Sequence, residues 1–110
     1  MRFLLIVFLF LTLPLGVFSQ KSIDKELNIL IDSWHLAATK ADFNTYFSKV
    51  SADFVFLGTA PGERWEKAEF ESFCKPYFDK GKAWDFIPSN RNWKFADKGK
   101  FAFFDEDLAT

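Results

Sequence analysis

The chemistry-bearing side chains of this chain concentrate near its C-terminal end and on one early helix. Asp105 and Asp107 lie two apart in a strand-like run, Lys100 to Leu108, so both project from one face and Glu106 from the other. With Phe103 inward, the aspartates look into the interior, where burial would raise their pKa and suit proton transfer. With Phe104 inward, the aspartates are solvated and Glu106 becomes the pocket acid. Alternation leaves both readings open, and acidic residues near strand ends are ordinarily solvated. His35 is the single imidazole and sits beside Trp34 at the border of an apolar stripe. Its bland reading is a partly buried ring bonded to a backbone carbonyl. Asp85, between Trp84 and Phe86, points away from both. Arg64 follows a Pro-Gly turn and can pair with Glu63, Asp53 or a ligand anion, a surface ion pair being the ordinary case.

Cys74 is the single cysteine, which excludes an intrachain disulfide. Its helical spacing among Phe70, Phe73, Tyr77 and Phe78 predicts a buried, inert thiol. One His and one Cys make no zinc pattern, and no metal site is expected.

The elements that must position these groups follow from periodicity. Ile23, Leu27, Leu30, Trp34, Ala37 and Ala41 form one apolar stripe, predicting an amphipathic helix from Ile23 to Lys40. Asp42 caps a short second helix with Phe43, Tyr46, Phe47 and Val50 inward. Asp53 to Leu57 reads as a strand, and Glu63 to Trp65 as its brief return across a Gly/Pro turn. Glu66 to Lys80 is a third helix, with Phe70, Phe73, Cys74 and Tyr77 on one face, a kink or loosening at Pro76, and Gly81 as C-cap. Trp84 to Phe95 reads as a long strand, with Pro88 marking an edge or bulge. Asp97-Lys98-Gly99 turns the chain into the last strand, with Gly99 at positive φ. This is an α+β order, with helices packed on one face of an antiparallel sheet.

The 110 residues carry a net charge of −1 with both signs interspersed, which excludes a basic nucleic-acid-binding surface and a polyanionic tail. Residues 1–19 hold one charge, Arg2, followed by an apolar run broken at Pro14 and Gly16. This pattern predicts a signal peptide cleaved after Ser19, or after Gln20, and a single domain over 20–110. The competing membrane anchor is disfavoured, because a span needs about 20 apolar residues. The protein is therefore expected to be exported, to the periplasm or outside the cell, meeting the membrane only in transit. Aromatic residues make up 20% of the chain, and 12 of the 16 Phe lie beyond Ser19, so a wide core or a cavity must accommodate them.

In order and spacing, several fragments resemble the SnoaL-like group of small bacterial proteins, within the nuclear-transport-factor-2-like superfamily. They are Ile31-Asp32-Ser33-Trp34-His35-Leu36-Ala37-Ala38, Ala41 to Phe47, Phe56-Leu57-Gly58-Thr59, Glu63-Arg64-Trp65, Lys75-Pro76-Tyr77-Phe78, Gly81 to Trp84, and Phe103-Phe104-Asp105-Glu106. The resemblance covers Leu27 to Thr110. It implies a cone in which three helices pack on a strongly curved antiparallel sheet around an apolar pocket. It also implies two further long strands beyond Thr110, so that the chain reads as a truncated domain. In such a cone the first helix lines the pocket, which makes His35 a candidate acid, base or hydrogen-bonder to a ligand.

The aromatics Trp34, Tyr46, Phe56, Trp84, Phe86 and Trp93 are core residues by default, and with Arg64 they are also the candidate lining for a flat or apolar ligand. The first expectation is an exported small-molecule binding module, needing no cofactor and homodimeric when full length. The alternative is a cofactor-independent isomerase or dehydratase, which requires His35 within reach of Asp85, Asp105, Glu106 or Asp107. A fold alone assigns neither.

Overall fold

The computed structural model describes residues 22–110; residues 1–21, with the expected signal peptide and its cleavage site, lie outside them. The chain divides into two units, residues 1–31 and 32–110. In the first, residues 22–31 are helical, and Ile23 and Leu30 of the predicted stripe are exposed. The second opens on helical residues 32–39, here α1.

Helix α1 places Ala37 and Ala38 in the core, where their small side chains admit the rings of the next helix. It ends with Ala41 at φ 53°, while Asp42 N–H returns to the Ala37 carbonyl at 2.8 Å. Asp42 then caps α2 (Phe43–Ser48), its carboxylate accepting from Thr45 N–H at 3.2 Å. The predicted second helix and its cap are both present, and Tyr46 and Phe47 are its buried residues.

Strands β1 (Val55–Leu57) and β2 (Arg64–Glu66) pair antiparallel with Phe56 opposite Trp65. Helix α3 (Lys67–Asp79) buries Phe70, Cys74 and Phe78. The predicted face is corrected here, because Phe73 and Tyr77 are nearly half exposed and Phe78 takes the inward position. Pro76 does not end the helix early. Its fixed φ is helical, and the last turn is closed by Gly81 N–H to Phe78 O (3.0 Å) and Lys82 N–H to Tyr77 O (3.0 Å), with Gly81 at φ 68°.

Residues 82–86 are irregular, so the last hairpin begins later than its aromatic pattern suggests. Trp84 is drawn inward instead, edge-on to Tyr46 (5.8 Å) and Phe78 (5.6 Å). Strands β3 (Ile87–Ala96) and β4 (Phe101–Ala109) pair antiparallel, with a register shift between Ser89 and Asn92. The irregularity lies just past Pro88, and Asn90 carries it at φ 55°. Asp97 and Lys98 share the positive φ of Gly99 in the connecting turn. The described strands thus form two antiparallel ladders, β1–β2 and β3–β4.

The core of the second unit is Ala37, Ala38, Tyr46, Phe47, Phe70, Cys74 and Phe78. Phe70 is its centre: it is 1% exposed and stacks on Phe56 at 4.2 Å between ring centroids. Rings dominate this core because a small domain without disulfides gains most per residue from aromatic burial.

Candidate functional site

A cavity of about 440 Å³ opens between α1, α2, α3, the β1–β2 hairpin and the 82–86 segment. Its walls include Trp34, Tyr46, Phe56, Trp84 and Phe86, five of the aromatics expected to line a pocket. The other two expected lining residues are elsewhere. Arg64 is exposed and does not border the cavity, although Leu57, its register partner on β1, does. Trp93 packs against Phe104 at 5.0 Å on the β3–β4 hairpin. Phe70, Phe73, Leu108 and the loop residues Gly58, Thr59 and Glu63 complete much of the wall. Phe70 and Phe73 were legible as helical apolar residues; Glu63 carried no signal beyond its turn.

His35 is the polar group that α1 brings to this cavity. Its Nε2 lies 2.6 Å from Glu106 Oε1, with both side chains under one-tenth exposed. The ring therefore has a carboxylate partner, not the backbone carbonyl of the bland reading. Glu106 Oε2 accepts from Arg91 Nε at 2.8 Å, and Arg91 Nη2 donates to Asp32 Oδ1 at 2.8 Å. Since Glu106 already accepts from a guanidinium, it is the acceptor in the histidine contact too, and Nε2 carries the proton. In the tautomer with that proton on Nε2, the lone pair is on Nδ1. Burial works against the Arg91 charge, but its bonds to Glu106 and Asp32 outweigh that cost and hold the guanidinium above its ordinary range.

The bulge explains why Arg91 meets Glu106. Ser89 pairs with Asp107 and Asn92 with Asp105, so Asn90 and Arg91 together oppose Glu106. Strict alternation would turn Arg91 to the other face; the extra residue returns it to this one. Sequence reasoning missed Arg91 and Asp32, because neither the bulge nor the distant pairing has a local signature.

Of the two strand readings, Glu106 is the acid that faces His35, but it does not border the cavity and so is the histidine's partner, not the expected pocket acid. Asp105 and Asp107 are exposed on the opposite face, accepting from Asn92 Nδ2 (3.1 Å) and Asn90 Nδ2 (2.8 Å). Asp85 is exposed and accepts from Thr39 Oγ1 at 2.9 Å, so it contacts α1 one turn beyond His35 rather than the imidazole. The Cys74 thiol is fully buried, and burial pushes its pKa up to about 12, as befits an inert thiol. Trp34 stacks on Tyr46 at 4.8 Å, and its buried Nε1 has no hydrogen-bond partner among the described residues.

The SnoaL-like domain matches residues 27–110, which is most of the chain. The chain belongs to the SnoaL-like domain family. No curated protein and no solved structure matches it. Membership places this SnoaL-like domain in the nuclear-transport-factor-2-like superfamily, whose cone fold accords with the α+β order and antiparallel pairing described above. The fold alone assigns no activity to this chain.

Proposed function

We propose that this SnoaL-like domain binds a small, flat, largely apolar molecule in its aromatic cavity, outside the cytoplasm after export directed by residues 1–19. The observation that carries the reading is the cavity itself. About 440 Å³ is within the range of small-molecule sites, and its wall is mostly aromatic rings with a few polar groups, His35 among them. Calorimetric titration with a neutral planar probe, 2-naphthalenemethanol, tests this. Saturable binding with NMR shift changes at Trp34, Phe56 and Trp84 is expected. Lack of binding up to about 1 mM probe would sink the reading.

A second reading is favoured by the His35–Glu106 contact: proton transfer without a cofactor. Glu106, itself held by Arg91, fixes the ring, and Nδ1 is the base in this reading. In such a step Nδ1 takes a proton from a carbon next to a carbonyl. The electron pair stays on the substrate as an enolate, and the proton returns to another carbon in an isomerisation. Deuterium exchange into a planar enone, lost in His35→Gln, is the expected signature. Exchange unchanged in that variant would refute the role of His35.

Pairing of two chains through the β3–β4 hairpin belongs to the same proposal. Ile87, Phe101 and Phe103 share one face of that hairpin and are each more than half exposed. Sedimentation as a monomer at high concentration would count against it.

A further inference from the structure

Glu63 is the acidic residue in the cavity wall, and among the described lining residues none is Lys or Arg. Its position is built in. The loop between β1 and β2 closes through Gly58 N–H to Glu63 O (2.7 Å) and Glu63 N–H to Ala60 O (3.2 Å). Ala60 N–H donates to Glu63 Oε2 at 3.3 Å, which anchors one carboxylate oxygen and leaves Oε1 for another partner. Gly58 makes room for this fold-over. Its φ is not in the left-handed region, yet a Cβ there would stand 2.7 Å from Glu63 Cβ and closer still to the carboxylate. Glycine is required at 58 for the space the Glu63 side chain occupies.

The rest of the wall agrees in sign. Aromatic faces carry partial negative charge and attract cations, and Trp34, Tyr46, Phe56, Phe73, Trp84 and Phe86 all border the cavity. The chain Asp32–Arg91–Glu106–His35 contributes two carboxylates against one guanidinium and an imidazole, so it adds no net positive charge. Arg64, next in sequence, is exposed and is not among the residues that border the cavity, although its register partner Leu57 is.

We propose that Glu63, held over Gly58, is the charge-selecting residue of the cavity and that its ligands are aromatic molecules bearing an ammonium or similar cationic group. This rests on the small-molecule reading above and specifies its ligand class. The carboxylate engages the cation at the cavity wall while the rings enclose the apolar body.

The test compares three probes sharing one ring system in calorimetric titrations of the full chain at pH 7: 2-naphthylmethylamine, 2-naphthalenemethanol and 2-naphthoate. The amine is expected to bind about tenfold more tightly than the alcohol, and the carboxylate most weakly. Glu63→Gln keeps an acceptor for Ala60 N–H and is expected to bring amine and alcohol affinities, measured on the same variant, to within about twofold of each other. Gly58→Ala, which displaces the carboxylate by another route, is expected to erode the preference in the same direction. Equal binding of amine and alcohol, tighter binding of the carboxylate, or an undiminished amine preference in Glu63→Gln would overturn the proposal and leave the small-molecule reading standing. Failure of all three probes to bind would overturn both.

Discussion

His35 Nε2 lies 2.6 Å from Glu106 Oε1, joining α1 to β4 across 71 positions of sequence through two side chains each under one-tenth exposed. Glu106 is the shared acceptor of His35 and Arg91, so its removal should cost most. Glu106→Ala leaves the Arg91 guanidinium and the His35 N–H without their shared acceptor in a buried setting. Breaking such a pair costs about 3–5 kcal/mol. Glu106→Gln, which keeps the shape and an acceptor, should cost less. Asp32→Asn at the exposed end of the chain should cost under about 1 kcal/mol, because Asp32 is 61% exposed and solvent screens its pair. Urea unfolding of the three variants checks this ordering. A Glu106→Ala protein as stable as the parent would show that the contact holds nothing together.

Phe70 should be the costliest aromatic to truncate. It is 1% exposed and stacks on Phe56, with Trp65 and Trp84 also in ring contact, so Phe70→Ala leaves a cavity that rigid rings cannot close. Losses for such changes run about 3–5 kcal/mol. Phe73→Ala one turn later should cost clearly less, because Phe73 is 45% exposed. Equal losses in thermal or urea unfolding would contradict the packing described.

The elements were legible where local rules act alone. Asp42 as a cap, the short helix behind it, Gly81 as a terminator and the order of strands all follow from side-chain chemistry within a few residues. The site was legible in part. Five cavity aromatics and His35 stood out by type, and Glu106 stood as one of two alternatives on β4. The choice between those alternatives lay in a long-range contact, which strand alternation does not encode. Arg91 was hidden because the residue that turns it inward, Asn90, adopts a positive φ without being glycine. Trp93 misled because an aromatic on a half-covered hairpin packs on its cross-strand neighbour as readily as into a cavity.

Two helices end in the same hydrogen-bond pattern with different residues at the left-handed position, Ala41 after α1 and Gly81 after α3. A Cβ at Gly81 would meet nothing within 4 Å, so Gly81→Ala isolates the backbone term. It should cost roughly 1–2 kcal/mol, the penalty of an L-residue at positive φ. A change below about 0.3 kcal/mol would mean that the turn relaxes out of the left-handed region.

Stability should fall on the alkaline side for an identifiable reason. Burial pushes the Tyr46 hydroxyl well above its ordinary 10.0, with the nearby Cys74 thiol adding to the shift, and burial alone carries Cys74 from 9.0 to about 12. Both groups are neutral when protonated, so the folded state retains protons that the unfolded chain releases. The unfolded state binds fewer protons above about pH 9, and stability then declines with pH. The contribution is complete below pH 9; the Cys74 part is lost as pH rises from 9 to about 12, and the Tyr46 part begins to fall above pH 10. Exposed Tyr77 and the lysines titrate in the same range, so the comparison that isolates the effect is between variants. Tyr46→Phe should lose less stability between pH 9.5 and 11.5 than the parent, and Cys74→Ala less between pH 8.5 and 11, as read by urea midpoints. Parallel pH profiles for parent and variants would show that neither buried group governs the alkaline limit.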